Sequence, residues 1–108
     1  PLFAVVQSNE PEIVVPQKPE LYPAYPNPFN GQVVIPFKAI SDRPISMSIF
    51  NISGISVYSK YLSTREKESG KIIWQPDKTV EYSHSSGVYI IKMISGVDVK
   101  TSKILFIK

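Results

Sequence analysis

The stretch that decides the fold is SGVYIIKMISGVDVKTSKILFIK, residues 86–108. It contains two runs of aliphatic and β-branched residues, and Ser95-Gly96 between them is typical of a hairpin turn. We therefore predict one strand over residues 88–95 and a second over residues 97–107.

Alternation within the first of these strands assigns its two faces. Lys92 marks the face toward solvent, which turns Tyr89, Ile91 and Met93 toward the core. A glycine, any residue and then an inward tyrosine at the start of a late strand is the arrangement of the tyrosine corner of immunoglobulin-like sandwiches. We therefore predict that Tyr89 is buried and that its hydroxyl bonds to an upstream backbone group.

The last predicted strand is apolar on both faces. Ile104 and Phe106 point one way, whereas Leu105 and Ile107 point the other way. A two-layer sandwich covers only one of these faces, so we expect the N-terminal part of the chain or a binding partner to cover the second.

Short β-rich runs separated by turn residues continue upstream at intervals of roughly ten residues, which is the pattern of a sandwich. They predict strands over residues 32–38, 45–51, 55–62 and 71–75. The fold class that follows is all-β, an immunoglobulin-like β-sandwich of about seven antiparallel strands. Ile45, Met47 and Ile49 alternate with serines and are predicted to face the core. Pro36 has no N–H to donate, so we expect its strand to lie at an edge or to carry a bulge.

Proline divides the chain into two parts. Seven of the ten prolines fall within the first 28 residues, where each favours extended backbone. We predict that residues 1–20 form a proline-rich arm or linker and that residues 21–108 form the immunoglobulin-like domain.

Composition excludes several function classes. The 108 residues carry a net charge of +3 and include no cysteine and one histidine, which excludes thiolate chemistry and multi-histidine metal sites. The positive charges form no basic cluster, so nucleic acid is not expected as a partner. The longest apolar run, residues 104–107, is far shorter than the roughly 20 residues that span a bilayer.

No constellation with enzymatic spacing is present. His84 lies among serines, but adjacent residues on an extended loop point apart and no carboxylate is placed to orient the ring, so we interpret it as an exposed loop histidine. The mixed charge run Arg65-Glu66-Lys67-Glu68 is interpreted as a solvated loop. A calcium site at Asp77 and Glu81 is left open. We predict no enzyme, no cofactor and no metal centre.

Trp74 has two alternative interpretations. With Tyr58, Tyr61 and Tyr82 it would form an aromatic platform for sugars. The favoured interpretation is that Trp74 anchors its strand in the core, because aromatic residues are enriched in strands.

A family resemblance rests on several motifs taken together. They are, in order, Tyr25-Pro26-Asn27-Pro28-Phe29-Asn30, Ile49-Phe50-Asn51-Ile52-Ser53-Gly54, Gly70, Trp74, Ser86-Gly87-Val88-Tyr89-Ile90-Ile91-Lys92 and Lys103-Ile104-Leu105-Phe106-Ile107-Lys108. From residue 21 to 108 the chain resembles the type A C-terminal sorting domain of type IX secretion substrates. It departs from the family pattern at Gly31-Gln32, where proline and hydroxyl residues are common.

The resemblance implies a role as a non-catalytic secretion and cell-surface anchoring signal. In that family the folded domain is recognised by the outer-membrane type IX translocon, and a sortase-like peptidase cuts ahead of it and joins the upstream cargo to anionic lipopolysaccharide. The implied localisation is secreted or cell surface, after transit of the periplasm of a Gram-negative, Bacteroidetes-like bacterium. The implied recognition residues are Asn27, Pro28, Gly87, Tyr89, Lys92, Lys103 and Lys108. The alternative is a carbohydrate-binding or spacer module of a secreted multidomain enzyme.

Overall fold

The computed structural model describes residues 18–40, 43–76 and 84–108. The strands in this part of the chain are β1 (Glu20–Leu21), β2 (Val33–Lys38), β3 (Ile45–Phe50), β4 (Ser56–Tyr61), β5 (Lys71–Trp74), β6 (Gly87–Ser95) and β7 (Asp98–Phe106). They form a three-stranded sheet in the order β1-β2-β5 and a four-stranded sheet in the order β4-β3-β6-β7. All of these pairings are antiparallel. The predicted all-β sandwich is confirmed.

The core lies between the two sheets and follows the alternation predicted from the sequence. The residues of β3 and β6 that were predicted to face the core are all buried, and these residues are Ile45, Met47, Ile49, Tyr89, Ile91 and Met93. In β7, Ile104 and Phe106 are also buried, whereas Leu105 is 37% exposed and Ile107 is 48% exposed. The second apolar face of the last strand is therefore only partly covered.

Aromatic side chains fill one end of this core. Phe29 stacks on Phe106 with ring centroids 5.0 Å apart, and Trp74 meets Tyr89 edge to face at 5.4 Å. Trp74 is 1% exposed, so the interpretation of this residue as a core anchor is confirmed. Offset and edge-on aromatic pairs of this kind add to the free energy gained by burial alone.

The tyrosine corner predicted at Tyr89 is present. The Tyr89 ring is buried, and its hydroxyl donates to the Ser85 carbonyl over 2.6 Å. This bond ties the loop before β6 to the strand itself.

We expect Tyr89→Phe to lower the free energy of unfolding by about 1 kcal/mol, because it removes one buried hydrogen bond and leaves the ring in place. Chemical denaturation of the two proteins measures the difference. An unchanged midpoint would show that the hydroxyl bond contributes nothing to stability.

Two alternatives are expected for the strand that contains Pro36, an edge position or a bulge, and the structure excludes the first. β2 lies between β1 and β5, so the predicted edge position is wrong. The register with the N-terminal segment shifts by one residue between Leu21, which is opposite Phe37, and Tyr25, which is opposite Val34. Three residues of that segment, 22–24, therefore lie against two residues of β2, Ile35 and Pro36, so the strand interior accommodates proline where the neighbouring ladder is irregular.

The mixed charge run forms a short helix, α1 (Thr64–Ser69), where a solvated loop was expected. The Ser63 hydroxyl accepts a bond from the Glu66 amide, the Glu66 carboxylate accepts one from the Ser63 amide, and Gly70 ends the helix with φ of 74°. This capping box stabilises a helix that buries no side chain. A hydrogen bond from Lys60 lowers the pKa of Glu66 below its ordinary value. No helix in the described ranges is long and apolar enough to span a bilayer.

Candidate recognition surface

Segments from both ends of the domain meet at one end of the sandwich. The pairing of β6 with β7 places Gly87 opposite Phe106, and Phe106 is bridged to Phe29 in parallel. The turn before Phe29, the start of β6 and the end of β7 are therefore neighbours. We call residues 27–29, 86–88 and 103–108 the motif end.

The Asn27 side chain links the N-terminal turn to the edge of β7 by two hydrogen bonds. Its side-chain oxygen accepts a bond from the Leu105 amide over 2.9 Å, and its side-chain nitrogen donates to the Lys103 carbonyl over 3.3 Å. Phe29 continues the contact, because its amide donates to the Leu105 carbonyl and its carbonyl accepts from the Ile107 amide. Asn27 thus occupies the position of a strand residue, and this part of the β7 edge is covered.

Pro28 lies exposed within the same turn. The peptide bonds that precede Pro26 and Pro28 are both cis. The turn brings Asn27 and Phe29 onto β7 while Pro28 itself faces solvent.

Gly87 begins β6 in a conformation that favours glycine. Its φ is 151°, and a Cβ added at this position would meet no atom within 4 Å. The backbone angle, and not lack of space, therefore explains the glycine. Beside it, the Lys108 amide donates to the Ser86 hydroxyl over 2.7 Å, which fixes the last residue against the start of β6.

The lysines of the resemblance occupy two places. Lys103 and Lys108 are exposed at the motif end, whereas Lys92 is half-exposed in the middle of the outer face, between Ser48 and Thr101 on the neighbouring strands. Lys92 and Lys103 point to the same side of the four-stranded sheet. The motif end therefore contains five of the implied recognition residues, namely Asn27, Pro28, Gly87, Lys103 and Lys108. Lys92 lies further along β6, opposite Thr101 of β7, and Tyr89 is buried in the core.

His84 is buried, so its interpretation as an exposed loop residue is wrong. It is 5% exposed and its ring lies 5.9 Å from Trp74 and 6.4 Å from Tyr89 between centroids. Sequence reasoning missed this burial because Trp74 and the tyrosine corner, which enclose the ring, are brought to it only by the packing of the two sheets.

The sugar platform is not formed. Trp74 is enclosed in the core on β5, while Tyr58 and Tyr61 belong to β4 of the other sheet. Tyr82 lies outside the described residues, as do Asp77 and Glu81 of the possible calcium site. Among residues 18–40, 43–76 and 84–108, no cluster of His, Asp or Glu side chains is suited to hold a metal ion.

A cleft of about 580 Å³ adjoins the motif end. The turn of residues 51–55 forms one wall and residues 84–89 form the other. Asn51 shapes the first wall, since its side-chain oxygen accepts bonds from the Ser53 and Ile55 amides. No single motif predicts this cleft, because residues 51–55 and 84–89 are far apart in sequence.

The fold and the motif end define an immunoglobulin-like module whose N-terminal turn is hydrogen-bonded to its last strand. The chain matches the family described as the secretion system C-terminal sorting domain over residues 23–108. It therefore belongs to this family, the sorting domains of type IX secretion, as the motifs indicated. No curated protein and no solved structure matches the chain significantly.

Proposed function

We propose that the folded domain is the signal that the outer-membrane type IX translocon recognises, and that a sortase-like peptidase then cuts ahead of it and joins the upstream cargo to anionic lipopolysaccharide. Family membership already implies a C-terminal sorting signal and export to the cell surface or secretion. The observation that carries the finer proposal is the pair of hydrogen bonds between Asn27 and β7.

These bonds make recognition dependent on folding. Asn27 and Leu105 are 78 positions apart, so the N-terminal and C-terminal motifs form one surface only when the sandwich has closed. A rigid scaffold holds such groups within the narrow tolerance that a binding site needs, whereas an unfolded chain does not. A translocon that recognises the motif end would therefore bind a precursor in the periplasm only after its sorting domain has folded.

The site residues of this proposal are Lys92 together with five residues of the motif end, Asn27, Pro28, Gly87, Lys103 and Lys108. Tyr89 acts through the fold, because its side chain is enclosed in the core. Residues 1–20 are the proposed linker, and the peptidase would reach it ahead of Pro19 and Glu20, because Pro19 is buried and Glu20 belongs to β1. No catalytic group, cofactor or metal is assigned to the domain. The burial of Trp74 argues against the carbohydrate-binding alternative, since a buried indole offers no stacking surface to a sugar.

An export assay tests the proposal. A reporter fused ahead of the complete chain, in a host with a type IX system, is expected to reach the cell surface. Lys92→Ala, Lys103→Ala and Lys108→Ala should leave the unfolding temperature nearly unchanged, because surface substitutions usually shift stability by no more than about 0.5 kcal/mol. At least one of these variants is expected to leave the reporter in the periplasm.

Lys38→Ala and Lys71→Ala provide matched controls, because both lysines are exposed on the three-stranded sheet. They remove the same charge and should export normally. Failure of the native chain to export its reporter, in a host that exports a known substrate, would reject the sorting role. Equal loss of export in the control variants would reject the assignment of the lysines.

A further inference from the structure

The outer face of β6 and β7 carries an unusual set of neighbours. Three adjacent cross-strand pairs lie on it, and they are Val88 with Leu105, Ile90 with Lys103, and Lys92 with Thr101. We call these six residues the lysine face.

The lysine face has positive charge with no internal compensation. Lys92 and Lys103 are diagonal neighbours on adjacent strands, a position from which long side chains can still interact. Asp98 is the only acidic residue in β3, β4, β6 and β7, and it pairs with Arg43 over 2.7 Å. Neither Lys92 nor Lys103 forms an ion pair with any described residue. Among residues 18–40, 43–76 and 84–108 nothing neutralises the two ammonium groups, so they can pair with an external anion.

Aliphatic side chains lie directly beside these charges. Val88 and Leu105 are each 37% exposed, and Ile90, the next residue on this face of β6, is half-buried opposite Lys103. Together they form an apolar surface next to Lys103, which we call the aliphatic shelf. The lysine face therefore presents both an apolar surface and two positive charges to a binding partner. Exposed apolar area combined with defined charges is typical of protein interaction sites.

We infer that the lysine face docks a protein segment that presents carboxylates alongside aliphatic side chains. The carboxylates pair with Lys92 and Lys103, and the aliphatic groups cover Val88, Ile90 and Leu105. The role of this docking in export rests on the proposed function. The binding chemistry itself follows from the side chains that β6 and β7 place on this face.

Charge density favours a protein partner over a membrane surface. Recognition of anionic lipid typically uses clusters of about 4–8 basic residues. The lysine face supplies two, and the intervening hydroxyl and aliphatic groups suit individual side-chain contacts.

The test is a titration of the full chain with a synthetic peptide of Glu-Glu-Val-Val repeats, the Glu-Val peptide, so that each face of its extended backbone presents both residue types. About eight residues suffice, because an extended peptide advances about 3.3 Å per residue and would cover all three cross-strand pairs. Amide signals in NMR spectra are expected to shift at residues 88–92 and 101–105, and the shifts should weaken as salt is added. A Gln-Val peptide of the same length should bind about tenfold more weakly.

Charge reversal provides the matched comparison. Lys92→Glu/Lys103→Glu should weaken Glu-Val binding about tenfold, whereas Lys38→Glu/Lys71→Glu changes the net charge equally on the other sheet and should alter binding less than about threefold. If the first double variant does not fold, Lys92→Gln/Lys103→Gln is measured in its place.

Several results would overturn the inference: equal binding of the Gln-Val peptide, equal weakening in the control variant, or binding of phosphatidylglycerol vesicles but not of the peptide. Displacement of signals from residues 1–17 by the peptide would show that the chain covers this face itself and would also overturn it. Reporter export without lysine-dependent peptide binding would reject this inference alone. Peptide binding without export would reject the sorting role alone.

Discussion

Replacing Trp74 by alanine is expected to lower the free energy of unfolding by about 3–5 kcal/mol. The indole is 1% exposed and lies 5.9 Å from the Phe29 ring and 5.4 Å from the Tyr89 ring between centroids. Its removal leaves a cavity that both sheets line, and strands held by backbone bonds collapse into such a cavity only in part. Since the free energy of unfolding of a domain is only about 5–15 kcal/mol, this single change removes a large share of it.

Ile73→Ala is the control for this measurement. Ile73 precedes Trp74 in β5, but its side chain is 50% exposed on the opposite face. Its truncation should cost less than about 1.5 kcal/mol, because much of the side chain remains in water. Titration of the native protein with soluble polysaccharides should show no binding. A Trp74→Ala protein of native stability that loses polysaccharide affinity would restore the carbohydrate-binding interpretation.

Strand faces could be predicted from the sequence wherever polar and apolar residues alternate strictly. In β3, serines separate Ile45, Met47 and Ile49, and a shift of one residue would place every serine in the core. In β6, Lys92 alone sets the parity, because a lysine is almost never fully buried without a partner. These local patterns predict which side chains of β3 and β6 are buried, and the structure confirms the prediction.

Contacts between distant segments could not be predicted in the same way. Nothing around Asn27 indicates that its side chain bonds to the backbone of β7, because the partner groups are amides and carbonyls that every residue carries. The burial of His84 likewise depends on rings contributed by β5 and β6. Such features arise from the packing of the sheets and leave no composition or spacing signal.

Helix α1 is a different case, since a local signal was present. Ser63 followed by Glu66 is the sequence pattern of a capping box, and Gly70 is a suitable C-terminal stop. The segment lacks apolar residues with helical spacing, and its six residues bury none of their side chains. Interpretation from the mixed charges alone predicts a solvated loop, whereas the capping residues identify the helix.

The motif end makes Phe106 and Leu105 an informative pair, because they are adjacent in β7 and face opposite sides. Phe106 is fully buried and stacks on Phe29, while Leu105 is partly exposed on the lysine face. Phe106→Ala should lower the free energy of unfolding by about 3–5 kcal/mol, as loss of a buried phenyl ring does. Leu105→Ala removes a smaller side chain that is already partly in solvent and should cost less than about 1.5 kcal/mol. Thermal and denaturant unfolding of the two variants measures both values.

An export assay distinguishes the role of Leu105 in recognition from the role of Phe106 in folding. Leu105→Ala should fold and yet reduce delivery of a reporter to the surface, because it narrows the aliphatic shelf beside Lys103 without disturbing the core. Phe106→Ala should lose export through loss of the fold, and lowering the temperature until it refolds should restore delivery, since Lys103, Leu105 and Lys108 are unchanged. If refolded Phe106→Ala remained in the periplasm, the buried ring would have to act in recognition directly. If Leu105→Ala unfolded as readily as Phe106→Ala, the assignment of the two faces of β7 would be wrong, and with it the lysine face as an exposed docking surface.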